Sequence, residues 1–341
     1  MYIDNNLINQ IKINPLIDTL KLEDIDDDVY FSKKYSKEYI SNSRLGLLKT
    51  KGAEAFFKGL KSEYNPSFLV GTALHELYLQ PESFVMVDSV YKPTAKAGLM
   101  ADYLYNSDGD FPTDDDIKAA SYKIGYYKDK LTSKKILDFR SKAEPYWRDR
   151  FLYEKNNITN KKRIYLDLKS CDIVKNCYNS IKNNKQFENL IHPSYIVDEP
   201  IVGNEKTILL DIEIDIPNYE PRIYKLKAKL DNFTINFEEN IITVNDLKTT
   251  SRLVKDFDPS YFSYQREIGY YSLLLKLCAN KFFNLNNPKV NGNFLVVSTI
   301  PEYNSLVYPM TPKLFRQGLS EVIYLLKTVA LLNITKGYEF Q

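Results

Sequence analysis

Two periodicities divide the chain. From about Lys37 the apolar positions recur at helical spacing: Leu45, Leu47 and Leu48 follow the capping serines Ser41 and Ser43, and Phe56, Phe57 and Leu60 form a second segment. Asn65-Pro66-Ser67 interrupts the pattern. The stretch SFLVGTALHELYLQPESF then places Val70, Leu74, Leu77 and Tyr78 on one helical face, with Gly71 and Ala73 small enough for close packing. Past residue 206 the period drops to two, and Thr207–Ile216, Arg222–Phe237 and Ile241–Thr249 read as successive strands. Pro259 opens a helix to about Asn280, Asn291–Ile300 is a further strand, and Thr311–Leu332 a C-terminal helix. Residues 91–200 are lysine- and tyrosine-rich and mostly helical by pattern, broken at residues 107–110 and at Asn156-Asn157. A last helix there spans Asp172 to Ile181 and continues through Phe187 and Leu190 to the turn at His192-Pro193. Residues 1–36 read as an irregular leader containing the acidic run Glu23 to Asp28.

The strand pair from Arg222 to Thr250 concentrates the candidate chemistry. Side chains alternate faces along a strand, so Asp246 and Lys248 share a face with Ile242 and Val244, while Asn245 and Leu247 point the other way. Glu238-Glu239-Asn240 is turn-like and predicts an antiparallel hairpin. A two-residue loop with Glu238 opposite Ile241 sets Asp231 opposite Lys248 and diagonal to Asp246. Carboxylates that stay ionised side by side share a cation, and a lysine beside them is suited to a water or a phosphate oxygen. The bland alternative, an exposed hairpin whose Asp and Lys simply pair, is equally open at this point. His75 is one of two histidines; on an apolar helix such a residue is more often a satisfied core group than a metal ligand.

Composition narrows the picture. At 341 residues with 44% hydrophobic content the chain is long enough for a substantial core, and no repeat or linker divides it, so one elaborated domain is the economical expectation. The net charge of +2 provides no global field for nucleic acid, so a basic surface has to be local. Lys92, Lys96, Lys118, Lys123, Lys128 and Lys130, interleaved with Tyr103, Tyr105, Tyr122, Tyr126 and Tyr127, offer one, although a solvated face with snorkelling lysines is the simpler account. No Gly-rich phosphate loop occurs. Cys171, Cys177 and Cys278 have no zinc or iron–sulfur spacing and suggest a reducing compartment. No signal-peptide pattern and no apolar run near the ~20 residues of a membrane span is evident, so a cytoplasmic protein without membrane contact is expected.

The order of elements and five stretches, SNSRLGLLK, GTALHELYLQPE, LKAKLDNF, ITVNDLKTT and YQREIGYYSLLL, resemble the PD-(D/E)xK nuclease superfamily over roughly residues 37–300. The likeness is greatest to phage and prophage exonucleases of the exodeoxyribonuclease VIII (RecE) type, and more distantly to the nuclease domain of RecB. The resemblance implies an α/β fold, an α-β-β-β-α-β mixed sheet flanked by helices, with N-terminal helices that include the first core helix at 37–90, the helical stretch 91–200 inserted after that helix, the core sheet and helix at 201–300, and the C-terminal helix in 301–341. It implies His75, Asp231, Asp246 and the Leu247 carbonyl as ligands of Mg²⁺ or Mn²⁺, and Lys248 as the residue that orients or activates the attacking water. Where RecB-like members carry Gln-x-x-x-Tyr, aligning on Tyr271 leaves Glu267 at the glutamine position, with Gln265 nearby. Glu267 could add a carboxylate to the metal surroundings, or mark an altered site. With one cysteine after Lys248 and none near His75, no iron–sulfur cluster is expected. The activity implied is a metal-dependent DNA exonuclease working 5′ to 3′ on double-stranded ends, in the cytoplasm of a bacterial host if phage-encoded, with a single-strand annealing protein and a homo-oligomer as candidate partners. A non-catalytic DNA-binding module and a structure-specific endonuclease are the alternatives.

Overall fold

In the computed structural model, which describes residues 10–59, 66–107, 112–126, 131–192 and 201–338, the alternating stretches become strands and the 3.6-period stretches become helices. In chain order the strands are β1 (Lys12–Glu23), β2 (Tyr39–Ile40), β3 (Phe84–Ser89), β4 (Lys162–Asp167), β5 (Ile201–Asp215), β6 (Arg222–Asn236), β7 (Ile241–Thr250), β8 (Lys289–Ser298) and β9 (Ser305–Pro309). Of the positions named above, Leu60, Asn65, residues 108–110, Tyr127, Lys128, Lys130 and Pro193 lie outside the described residues, as do residues 1–9 of the leader. The chain forms two compact units, Met1–Lys61 with Asn184–Val296 and Ser305–Gln341, and Ser62–Asn183 with Val297–Asn304.

The first unit is built on a seven-stranded mixed sheet in the order β1-β5-β6-β7-β8-β9, with β2 also against β6. β5 and β6 are the longest pair, antiparallel from Ile201↔Ile235 to Ile214↔Arg222. Their alternation buries Ile208, Leu210, Ile212 and Ile214 on one strand and Tyr224, Leu226, Ala228 and Leu230 on the other. The second edge of β6 is divided. β2 pairs with it in parallel at Lys225 and Leu226, whereas the β6–β7 ladder runs only from Asn236↔Ile241 to Asn232↔Asn245. Helices α1 (Asn42–Lys51), α2 (Tyr264–Phe282) and α3 (Pro312–Lys336) pack on this core, with Leu45, Leu48, Ile268, Leu274, Val322 and Val329 buried in the same cluster as the sheet residues. Ser41 caps α1, its hydroxyl accepting from Arg44 N at 3.3 Å, and Thr311 caps α3 through Leu314 N at 3.3 Å.

Three expectations are corrected here. The leader is not irregular throughout: Lys12–Glu23 is β1, antiparallel to β5 at the sheet edge and broken by a register shift between Leu16 and Lys21. The β6–β7 loop has four residues, 237–240, so Asn236 and not Glu238 faces Ile241, a shift of two that keeps every side chain on its expected face. The C-terminal helix, although half buried over its most apolar part, is long and apolar enough by length and composition to cross a membrane, which the sequence pattern had not suggested.

The second unit is largely helical, with helices Pro66–Leu79, Ala95–Ser107, Asp114–Ile124, Ser133–Asn156 and Leu168–Asn183 and one parallel strand pair, β3–β4, that the helical pattern did not predict. Its core packs Met100, Leu104, Ile117, Phe139, Tyr146 and Trp147. Lys92 is not on the lysine–tyrosine surface: it is buried, pairs with Asp102 at 2.5 Å and donates to the Tyr165 carbonyl. Lys123 lies over the Tyr103 ring at 4.4 Å and Lys118 pairs with Asp115 at 2.8 Å, so these cations answer partners within the unit.

The close approach of α2 and α3 depends on two glycines. A Cβ on Gly318 of α3 would stand 1.9 Å from the Gln265 carbonyl oxygen of α2, and one on Gly269 would stand 2.6 Å from the Gly318 carbonyl carbon. Gly318→Ala is expected to push the two helices apart and to lower stability by about 3 kcal/mol, the upper end of overpacking effects, read as a lower urea midpoint.

Candidate metal centre

The two strand registers stack polar residues in adjacent rungs. Asn204 pairs with Asn232 and Lys206 with Leu230 across β5–β6, so Glu205 and Asp231 share the rung between them. Asn232 faces Asn245 across β6–β7, so the next rung brings Asp231 beside Asp246, just where that ladder ends. Successive side chains point to opposite faces, which separates an asparagine face from an acidic face.

The asparagines form a relay across four strands. Asn293 Nδ2 donates to Asn245 Oδ1 at 2.9 Å, Asn245 Nδ2 to Asn232 Oδ1 at 2.7 Å, and Asn232 Nδ2 to Asn204 Oδ1 at 2.8 Å. Asn232 and Asn245 are fully buried. Slipping β6 against β7 by one residue would break this relay and bury the acids beneath it, so the relay holds the register that sets the acidic face.

On the acidic face, one carboxylate oxygen each of Glu205 and Asp231 come within 4.8 Å of each other. Asp231 Oδ2 accepts from Leu247 N at 2.8 Å, so the side chain takes a backbone donor at the point where the strands part. Lys248 Nζ lies 2.7 Å from Asp246 Oδ2 and 3.0 Å from Glu267 Oε2, and 5.1 Å over the Tyr264 ring. Tyr271 OH, one helical turn beyond, donates to Glu267 Oε1 at 3.1 Å. On the far side Lys229 Nζ is 3.2 Å from Glu205 Oε2 and also meets Asp27.

Four carboxylates (Glu205, Asp231, Asp246 and Glu267) thus face two ammonium groups, one of which also serves Asp27. Burial and these charges together set their proton affinities. Burial, followed by the Asp231 charge, pushes Glu205 up to about 8 against the pull of Lys229. Burial raises Asp246 well above the usual carboxylate range, with Glu267 and Asp231 adding to it and Lys248 opposing. Burial disfavours the charge on Lys248, but Asp246, Glu267 and Asp231 outweigh it and hold the ammonium protonated well above its ordinary value. Burial likewise works against Glu267, and Lys248 and the Tyr271 hydroxyl overcome it, so Glu267 stays ionised. Asp246 is 1% exposed, and its Oδ1 has no hydrogen-bond donor among the described residues. A set of carboxylate oxygens from neighbouring strands that includes an orphaned buried oxygen fits a hard divalent cation.

Asp231, Asp246, Lys248, Glu267 and Tyr271 therefore converge in the first unit, with the Leu247 main chain held against Asp231. The structure sets Glu267, not Gln265, against Lys248; Gln265 is buried and its Oε1 has no donor among the described residues. His75 lies half-buried on the helix Pro66–Leu79 of the second unit. Glu205 was missed by sequence reasoning, which began the strand at Thr207. The signal available was the length of β6: a partner long enough to match it draws Asn204 and Glu205 into β5, where Glu205 takes a left-handed φ of 52°.

Glu205 yields a test of the electrostatics. In an unfolded chain it titrates near ~4.3. The folded protein keeps its proton to about 8, so between these values the native state binds more protons and stability falls as pH rises. In EDTA the thermal midpoint is expected to decline from about pH 5 to about pH 8.5, and Glu205→Gln to flatten the decline. Mn²⁺ should raise the midpoint most at the alkaline end, where it competes with fewer protons. Scanning fluorimetry across pH checks all three.

No protein-family model matches the chain, and no curated protein matches it. Among solved structures, a protein from Eubacterium rectale described as a "Putative exonuclease", determined at 2.19 Å, is similar over 93% of this chain and 88% of its own, with 12% identity and a TM-score of 0.45. At that level the similarity carries no argument about this chain's family or activity.

Proposed function

We propose that this chain is a divalent-metal-dependent deoxyribonuclease of the PD-(D/E)xK type, acting as an exonuclease, 5′ to 3′, on double-stranded DNA ends. The observation that supports this reading most is the cluster of Glu205, Asp231 and Asp246 on neighbouring strands with Lys248 bound to the last of them. Asp231, Asp246 and Glu205 would hold Mg²⁺ or Mn²⁺, and the Leu247 carbonyl and His75 are assigned to the same ion on the sequence resemblance alone. When bound, the cation supplies a Lewis acid that polarises a phosphate oxygen and acidifies a water.

The chain's own groups divide the remaining work. Lys248, protonated between Asp246 and Glu267, is a fixed cation that donates to a phosphate oxygen or to the attacking water and stabilises charge that grows in the transition state. Glu267 sets the lysine's direction, and Tyr271 fixes Glu267. The double engagement of Lys248 by two carboxylates also supports a second reading, a DNA-binding module without catalysis, in which the amine is spent on internal pairing. Cytoplasmic action beside a single-strand annealing protein, and self-association, belong to the first reading through the resemblance.

Purified protein with Mg²⁺ or Mn²⁺ is expected to degrade linear duplex DNA, and Asp246→Ala or Lys248→Ala to reduce the rate by about 10²–10³-fold or more without unfolding the chain. Robust digestion by Asp231→Ala/Asp246→Ala would remove the metal-site argument. DNA binding with no Mn²⁺ uptake in calorimetry would select the module. Cutting of closed circular DNA would make the enzyme an endonuclease.

A further inference from the structure

The segment between the Lys248 strand and helix α2 carries two large rings that the fold leaves in solvent. Tyr261 is 64% exposed and Phe262 61% exposed, although they are neighbours in sequence. Leaving such rings in water forgoes the burial that organises the rest of the unit.

Their exposure is not that of a loose loop. Ser260 N and Oγ donate to Asp258 Oδ1 at 2.8 and 2.6 Å, Tyr261 N to the Asp258 carbonyl at 3.2 Å, and Tyr264 N to the Pro259 carbonyl at 2.8 Å. Lys49 Nζ from α1 braces the end of the turn by donating to Ser263 Oγ at 3.0 Å. The rings themselves form a chain. Tyr261 meets Phe262 edge-on at 4.6 Å, and Phe262 meets Tyr264 at 5.4 Å. Tyr264 stacks on Phe257 at 5.9 Å and lies 6.1 Å from the fully buried Phe294.

Cations mark both ends of this ribbon. Lys248 Nζ sits over Tyr264 and the Arg252 guanidinium lies 5.0 Å over Tyr261. A run of rings flanked by cations suits a single strand, whose bases stack while its phosphates meet positive charge at either end. A protein partner would favour a continuous apolar patch in which those charges would have to be desolvated.

We infer that Tyr261 and Phe262 are a stacking platform for unpaired nucleobases, which leads a frayed or single-stranded DNA end toward Lys248 and the carboxylates. The inference rests on the nuclease reading and specifies its substrate: an end with unpaired bases is preferred to one without.

The test compares a duplex with a short unpaired tail against the same duplex with abasic residues in the tail, which keeps the phosphates and removes the bases. Wild type is expected to prefer the base-bearing tail in kcat/KM by roughly 5- to 100-fold, mainly through KM. Tyr261→Ala/Phe262→Ala should cut both tails alike, at the wild-type rate on the abasic tail. Tyr261→Leu/Phe262→Leu keeps apolar volume without rings; it should lose the preference too and covers the case in which the alanine pair does not fold. Equal rates on the two tails by wild type, or a preference that survives either double variant, would overturn the platform. If wild type cuts neither substrate the nuclease reading fails by itself, and fluorescence anisotropy in EDTA decides the platform: base-dependent binding lost in the variants upholds it, base-independent binding overturns it.

Discussion

The constraint on which the first unit turns is the mutual repulsion of carboxylates held on one rung of its sheet. Like charges directly opposite one another weaken a strand pair, and burial multiplies the penalty. Glu205, Asp231 and Asp246 accept both costs, with Glu267 brought in from α2 as a fourth. Lys248 pairs with Asp246 and Glu267, Lys229 with Glu205, and Asp231 takes the Leu247 amide. Burial first, and the neighbouring carboxylates after it, raise the proton affinity of Glu205 and Asp246. A pair of buried ions alone is weak evidence of stabilisation, since desolvation offsets most of the attraction. Here that cost is concentrated at one point of the sheet, with burial the largest part of it for Glu205 and Asp246.

Such a cluster persists only if the structure around it prevents escape. The asparagine relay does so from behind, tying β5, β6, β7 and β8 at the neighbouring rung in a register that no one-residue slip can satisfy. Helix α2 does so from the other direction. Arg266 donates to Asn42 Oδ1 at 2.8 Å and to Glu321 Oε1 at 3.0 Å, linking α2 to α1 and α3, while Gly269 and Gly318 set how closely α3 approaches. Tyr270 OH adds bonds to the carbonyls of Ile40 and Lys227 at 2.8 and 3.1 Å, on the stretch of β6 between its pairing with β2 and with β7. The neighbouring residues Glu267 and Tyr271 are thereby delivered at fixed depth.

Much of this was legible in the sequence because strand parity is robust. The loop of four residues, where two were expected, moved Asp231 from opposite Lys248 to the rung of Asp246, yet a shift by two leaves faces unchanged and the acids still converge. Glu267 was weighed as an addition to the site only through the family resemblance, aligned on Tyr271, and it is a residue that meets Lys248. β1 was illegible because an edge strand with a register break alternates poorly: within Lys12–Glu23 only Leu20 is buried. Glu205 was illegible because Asn204-Glu205-Lys206 looks like a turn when seen without its partner strand. The role of Lys92 was hidden for a related reason, since nothing local distinguishes a lysine that snorkels from one buried against Asp102.

The end of the β6–β7 ladder is where these threads meet. Had pairing continued past Asn232↔Asn245, backbone partners would have claimed the amide of Leu247, and the Asp231 side chain would have had no donor there. Parting the strands frees that amide for the carboxylate and leaves room for Lys248 to turn between Asp246 and Glu267. The chain after β7 continues into the braced turn that carries Tyr261 and Phe262. Tyr264 then touches both consequences, since its ring lies under the lysine on one side and continues the aromatic ribbon on the other. A change at Tyr264 would therefore disturb charge and stacking together, whereas Tyr261 and Phe262 lie far enough along the ribbon to separate the two.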